Sequence, residues 1–215
     1  MFGSKKAVIA AMILVVAVPL AMSEGLGFNA GLDVGFGDVL SGVELSLKPW
    51  IKASYAFGED PSVTLSLKNS NTISLVSPVS LTGGTLTPKV NVALGAFYAS
   101  VGLPLAYYPA PVALSLFTTA GIAGENWDAD VTLDFTVYTP FSWDDVVLYG
   151  DYTISSAILS LTATLPSTFD ALTLTPWVDV AVGDFTVGGG VDVDLGFSPV
   201  ELTGLTPTIS VSYSF

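Results

Sequence analysis

The chain has 215 residues, of which 51% are hydrophobic and 12% are charged, and its formal net charge is −13. An ordinary soluble domain carries about 25% charged residues, so this composition is unusual for a protein whose surface faces water. The sequence contains no histidine and no cysteine, which excludes serine–histidine and cysteine–histidine catalytic pairs and the usual zinc sites. So acidic a chain is a poor nucleic-acid binder, and no metal or cofactor is predicted.

The first predicted element is a secretory signal peptide over residues 1–23. Lys5 and Lys6 precede an apolar run, and small residues before Glu24 mark the cleavage site. The alternative is a membrane-anchoring helix, but a spanning helix needs roughly 20 apolar residues and this run is shorter. Lipid attachment to a cysteine after cleavage is excluded because the chain has none. We therefore expect residues 24–215 to form a single domain.

Beyond the signal, apolar residues alternate with small or polar ones, the pattern of β-strands that have one face in an apolar phase. Strands are predicted over 28–36, 43–57, 63–67, 72–81, 86–98, 101–107, 112–122, 131–137, 146–149, 157–165, 172–182, 185–197 and 205–215. A closed up-and-down barrel normally has an even number of strands. We therefore expect a β-bulge near Ala99 and Ser100 to join two segments. The prediction is an all-β antiparallel barrel of about 12 strands, or 10 if 69–71 is also a bulge and one further break closes.

Short turns predict how the strands pair. Residues 182–185 read Val-Gly-Asp-Phe, in which the glycine supplies the positive φ of a primed hairpin turn. This turn predicts that Val182 pairs with Phe185 and that Trp177 pairs with Gly190. Further turns are predicted at 82–85 and 149–152, and short outer loops at 140–145, 166–170 and 198–204.

The polar face of the predicted strands is mostly glycine, serine and threonine. In a soluble β-sandwich that face meets water and usually carries lysine and glutamate. Alternation alone fits both a sandwich and a membrane barrel, so the composition of the polar face decides between them. It favours a barrel whose apolar side chains contact lipid and whose polar side chains line a lumen.

The last predicted strand ends in an aromatic residue. Its apolar positions are Leu205, Pro207, Ile209, Val211, Tyr213 and Phe215, and hydroxylated residues alternate with them. This run resembles the final strand of bacterial outer-membrane β-barrels of the porin-like kind. The resemblance implies that Ile209, Val211, Tyr213 and Phe215 form an assembly signal. It also implies a place in the outer membrane, with lipid, periplasmic chaperones and the barrel-assembly machinery as partners.

Charge provides the main functional hint. Without the two signal-peptide lysines, four lysines stand against nineteen acidic residues, a net charge of −15. The lumen-facing candidates are Asp33, Glu44, Lys48, Trp50, Lys52, Asp130, Asp134, Trp177, Asp179, Asp192 and Asp194. Carboxylates in a water-filled lumen attract cations, whereas the alternative is that they are solvated turn and rim groups. The two tryptophans are expected to fill space in the barrel interior.

We therefore predict a narrow passive channel for small solutes, with a mild cation preference and no enzymatic activity. The family's phospholipases, deacylases and proteases resemble one another in requiring an active-site histidine, which this chain lacks. The alternative is a non-conducting structural or surface-interaction barrel, against which the short outer loops argue. Transport of hydrophobic solutes is a third hypothesis, for which the sequence shows no dedicated lateral opening.

Overall fold

A computed structural model describes residues 26–42, 44–76, 78–109, 113–137 and 141–215. The predicted signal peptide lies outside these residues, as do Val43 and Val112, each the first residue of a predicted strand. Among the residues described, no helix is long and apolar enough to cross a membrane.

The described part of the chain forms thirteen β-strands in one antiparallel sheet. They are β1 (Leu26–Gly35), β2 (Ser46–Phe57), β3 (Ser62–Ser74), β4 (Ser80–Leu94), β5 (Phe97–Gly102), β6 (Leu105–Tyr108), β7 (Ala113–Ala123), β8 (Trp127–Thr136), β9 (Ser142–Ile154), β10 (Ala157–Pro166), β11 (Ala171–Val182), β12 (Phe185–Phe197) and β13 (Val200–Ser214). β5 and β6 are two halves of one strand, because both pair with β4 on one side and with β7 on the other. The sheet closes where β1 pairs with β13. These strands therefore build a closed 12-strand barrel, which confirms the predicted fold class.

Two of the predicted breaks between strands do not occur. Residues 69–71, predicted as a loop or a bulge, lie inside β3, and residues 82–85, predicted as a turn, lie inside β4. Gly84 remains in the strand because the ring of Tyr107 packs directly over it, where a Cβ atom would overlap that ring. The chain turns instead at Gly95, whose φ is 57°.

Two other predicted breaks do not lie where the sequence places them. The interruption expected near Ala99 falls at 103–104, where Pro104 has no N–H to donate to a ladder. The turn predicted at 149–152 is wrong, because these residues lie inside β9 and pair with both β8 and β10. The hairpin predicted at 182–185 is confirmed with its register, and Gly183 has a φ of 64°.

The barrel has two ends, which we call terminal and distal. The terminal end holds the start of β1, the end of β13 and the turns after β2, β4, β7, β9 and β11, and the distal end holds the other connections. The three predicted outer loops all lie at the distal end. They are shorter than predicted, since β9 begins at Ser142 and β13 begins at Val200.

Large apolar side chains cover the outside of the barrel and do not form a core. Among the described residues no hydrophobic side chain is buried, and Leu94, Leu161 and Val182 are 58%, 50% and 60% exposed. Successive residues of a strand point to opposite faces, so the same strands turn their small and charged residues inward. A surface this apolar is an aggregation hazard in water but matches a lipid-facing belt. The fold thus agrees with a membrane barrel and disagrees with a soluble sandwich.

Aromatic side chains of this outer surface gather near both ends of the strands. Phe185 and Tyr213 pack together at the terminal end with ring centroids 4.8 Å apart. At the distal end the Phe135 and Phe141 rings stack at 5.5 Å, and Trp143 contacts Phe169, also at 5.5 Å. Aromatic rings at these two levels are typical of the interfaces between hydrocarbon and headgroups.

Candidate functional site

The candidate site is the polar inner face of the barrel, which the strand register defines row by row. In one row Lys48 of β2 pairs with Asp33 of β1, and Asp33 pairs with Ser210 of β13. Asp33 also accepts hydrogen bonds from Trp50 Nε1 at 3.3 Å and from Ser210 Oγ at 2.7 Å. These contacts join polar side chains across the strands that close the barrel.

All four lysines of the described strands lie on three adjacent strands, β2 to β4, and we call this surface the basic wall. Its members are Lys48, Lys52, Lys68 and Lys89. Lys52 lies directly opposite Lys68, an unfavourable pairing of like charges. Lys68 Nζ lies 4.7 Å from the centroid of the Trp50 ring, and Lys89 Nζ lies 5.6 Å from that of Phe117. Cation–π contacts of this kind offset part of the repulsion.

The carboxylates of the inner face gather on β8, β9, β11 and β12, and we call this surface the acidic wall. Its members are Asp128, Asp130, Asp134, Asp145, Asp151, Asp179, Asp192 and Asp194. Hydroxyl groups hold several of them: Thr175 Oγ1 donates to Asp192 and Thr173 Oγ1 donates to Asp194, both at 2.6 Å. The ring order of the strands places this wall opposite the basic wall. Asp33 of β1 and Glu201 of β13, whose partner Gly196 faces inward, also belong to the inner face. By strand register the described strands therefore turn ten carboxylates and four lysines inward.

Two tyrosine hydroxyls donate hydrogen bonds to the acidic wall near the terminal end. The Tyr98 hydroxyl on β5 reaches across β7 and donates to Asp128 and to Asp130, the latter at 2.9 Å. Tyr149 donates to Asp151 at 2.7 Å. In the described ranges, no group of three or more acidic, histidine or cysteine side chains is arranged to hold a metal ion.

Large inward rings lie flat against glycines of neighbouring strands. Trp50 covers Gly31 and Phe117 covers Gly102, and in both places a Cβ atom on the glycine would overlap the ring. Trp177 lies in the same way over Gly190. Each ring therefore lies in a recess that the missing Cβ atom of its glycine leaves in the wall. None of the fourteen inward charged side chains is buried, so each keeps some contact with solvent.

Ten of the eleven lumen candidates lie on strands with the inward register. These are Asp33, Lys48, Trp50, Lys52, Asp130, Asp134, Trp177, Asp179, Asp192 and Asp194. Glu44 lies in the connection between β1 and β2, outside the strand wall. That the ten line a solute path stays a prediction.

Sequence reasoning missed six inward charges. Four of them fell in segments predicted as loops or turns, namely Lys68, Asp145, Asp151 and Glu201. Lys89 and Asp128 were not assigned to a face. The signal was available in the alternation itself, since Lys68 shares its parity with Ser66 and Ser70 once β3 is continuous.

The connection between β1 and β2 is held against β13 at the distal mouth. Asp38 Oδ1 accepts hydrogen bonds from the backbone N–H of Leu205 at 2.9 Å and of Leu40 at 3.0 Å. These donors, Leu205 first, hold the pKa of the Asp38 carboxyl below its ordinary value. The Val39 N–H donates to the Leu205 carbonyl at 2.8 Å, so the loop continues the β1–β13 ladder.

The C-terminal strand completes the barrel with its predicted assembly signal on the outer face. Ile209 and Val211 are exposed apolar side chains, and Tyr213 contacts Phe215 with ring centroids 4.6 Å apart. The Phe215 N–H donates to the Phe28 carbonyl at 2.9 Å, so the last residue is anchored to β1. Recognition of these residues by an assembly machinery stays a prediction.

A closed 12-strand antiparallel barrel with an apolar outside and a polar inside has the architecture of bacterial outer-membrane β-barrels. Solved structures of that class match this chain. The outer membrane phospholipase A from Escherichia coli is similar with a TM-score of 0.62 and 10% identity, over 86% of this chain and 89% of that one. The Salmonella typhi outer membrane phospholipase dimer with bound calcium is similar at 0.59 and 8%, over 91% and 93%. The KdgM porin in complex with disordered oligogalacturonate is similar at 0.55 and 11%, over 88% and 99%.

The sequence matches no family model and no curated protein. Identities of 8 to 11% establish the fold alone, and these structures include both an enzyme and a porin. The chain has the fold of an outer-membrane β-barrel, and its neighbours are consistent with a location in the cell outer membrane.

Proposed function

We propose that this barrel is a narrow passive channel for small solutes with a mild preference for cations. The observation that carries the proposal is the polar interior, whose fourteen charged side chains all keep some contact with solvent. A purely structural barrel that conducts no solute does not need so many charged side chains in its interior. Burying charges without a partner is expensive, whereas a water-filled lumen keeps them hydrated.

The cation preference rests on the balance of the inner face. Ten carboxylates and four lysines leave this face negative, and a negative lumen concentrates cations and repels anions. Because the basic wall and the acidic wall lie on opposite sides, they also create an electric field across the lumen. A solute with groups of both signs would lie across the lumen, its anionic end toward Lys52 and Lys68.

We propose that the barrel performs no chemistry of its own. The phospholipases share its fold, yet this chain contains no histidine to act as a general base. KdgM, whose structure contains an oligogalacturonate, supports transport as a use of this fold. Assembly through periplasmic chaperones and the barrel-assembly machinery, guided by the C-terminal residues, is part of the same proposal.

Planar-bilayer recordings test the channel directly. The refolded chain should produce stepwise currents, and under a salt gradient its reversal potential should have the sign of a cation-preferring pore. The control is the same protein added without refolding, which should be silent. A correctly folded barrel that inserts and passes no current would contradict the proposal and favour the non-conducting structural barrel.

A further inference from the structure

The lipid-facing surface carries a polar cluster on β3 and β6, formed by Asn69, Asn71 and Tyr107. The two asparagines share the outward parity of Leu67, since Ser70 between them faces the interior. The Tyr107 hydroxyl donates to Asn71 Oδ1 at 2.6 Å, Asn71 Nδ2 donates to Asn69 Oδ1 at 2.9 Å, and Asn69 Nδ2 donates to the Tyr107 oxygen at 3.3 Å. The three hydrogen bonds form a closed ring, which we call the amide cluster.

The amide cluster keeps unused hydrogen-bonding capacity. A primary amide can donate two hydrogen bonds and accept two, and each asparagine of the ring uses one of each. Each of the two therefore presents one further N–H and one further acceptor to its surroundings. Lipid tails provide no partner for these groups, and unsatisfied polar groups in hydrocarbon are costly.

The amide cluster has apolar neighbours on its own row and on the row beyond it. Along its own row, Asn69 stands between Ile51 of β2 and Leu86 of β4. The next outward row toward the distal end is again apolar, with Ile73 between Leu47 and Leu81. One apolar row therefore lies between the cluster and the distal end of β3 at Ser74.

We infer that the amide cluster is a contact between two copies of this chain in the membrane. A copy related by a twofold axis presents the same N–H groups and the same acceptors, so the surface is complementary to itself. Hydrogen bonds between amides and close packing drive such association in lipid, where apolar surfaces alone gain nothing by meeting. Neither asparagine nor Tyr107 faces the lumen, so this contact is independent of the proposed channel.

The test is the association state of the full barrel and of a variant without the amides. We expect refolded wild-type protein to form dimers in detergent micelles, measured by analytical ultracentrifugation. It should also form dimers in vesicles, measured by cross-linking. An N69L/N71L double variant should dimerise about tenfold more weakly or worse, because several membrane hydrogen bonds of modest strength are lost together. The matched control is S70A, the residue between the two asparagines, which should dimerise like the wild type.

Disulfide trapping provides a second measurement, because the chain has no cysteine of its own. An L67C variant, next to the amide cluster, should form linked dimers in vesicles, whereas L159C on β10 should not. A wild type that stays monomeric in both media would overturn the inference, and so would an N69L/N71L variant that dimerises equally. A monomeric barrel that retains a lipid only when both asparagines are present would also overturn it, in favour of a lipid site.

Discussion

Replacing Asp130, Asp134, Asp192 and Asp194 together by asparagine should abolish most of the cation preference of the channel. By strand register ten carboxylates and four lysines face inward, so six carboxylates would remain and the net charge of the inner face would fall from −6 to −2. We expect the potassium-to-chloride permeability ratio from reversal potentials to fall about threefold or more. The recordings should be made near 0.1 M salt, because the Debye length of about 10 Å then lets the charges of the wall act across the lumen.

The matched control for this variant neutralises four acids outside the wall. Glu59, Asp60, Glu125 and Asp184 lie in the turns of the terminal end, so changing them to their amides removes the same charge from the mouth. If this control lowers the permeability ratio as much as the wall variant does, the mouth and not the interior sets selectivity. Unchanged selectivity in the wall variant would place these aspartates outside the ion path.

A G102V variant should narrow the lumen, because it removes the recess in which the Phe117 ring lies. A Cβ at residue 102 would overlap that ring, which has to swing toward the barrel axis. We expect single-channel conductance to fall roughly twofold, since a bulkier constriction limits conduction. The overpacking should also cost about 1–3 kcal/mol of stability against denaturant.

Two further variants show whether the ring is responsible. A G102V/F117A double variant should recover the conductance of the wild type, because no ring remains to be displaced. The same change at Gly189, on the outer face, meets only a backbone oxygen at 3.6 Å and should leave conductance unaffected. A folded G102V channel with wild-type conductance would show that Phe117 finds room elsewhere and that the lumen is wider than the account requires.

Most of the fold follows from alternation with a period of two, which is local information. The hairpin at 182–185 was predictable with its register because a glycine and an aspartate stand between two clean alternating runs. The misplaced turns share one cause: glycine and asparagine also occur inside strands. Gly84 lies under a ring and Asn69 takes part in a hydrogen-bonded ring, and both contacts depend on strands that are distant in sequence.

The strand number was predictable even where the bounds were not. Three strands lie between residues 62 and 108 in both the prediction and the structure, but their limits differ because Gly95 and not 82–85 forms the turn. The acidic residues of the interior were largely predictable from parity. Their separation from the basic wall was not apparent until closure of the sheet set β2 to β4 opposite β8 to β12.

Cysteine labelling along β10 measures most directly which face of the sheet contacts water, on which the proposed channel depends. Single cysteines at Ser160 and Thr162 on the inner face, and at Leu159 and Leu161 on the outer face, would be the only thiols in the chain. In vesicles, a charged membrane-impermeant thiol reagent should modify residues 160 and 162 and leave 159 and 161 unmodified until the lipid is removed. Modification of 159 and 161 with protection of 160 and 162 would contradict the account.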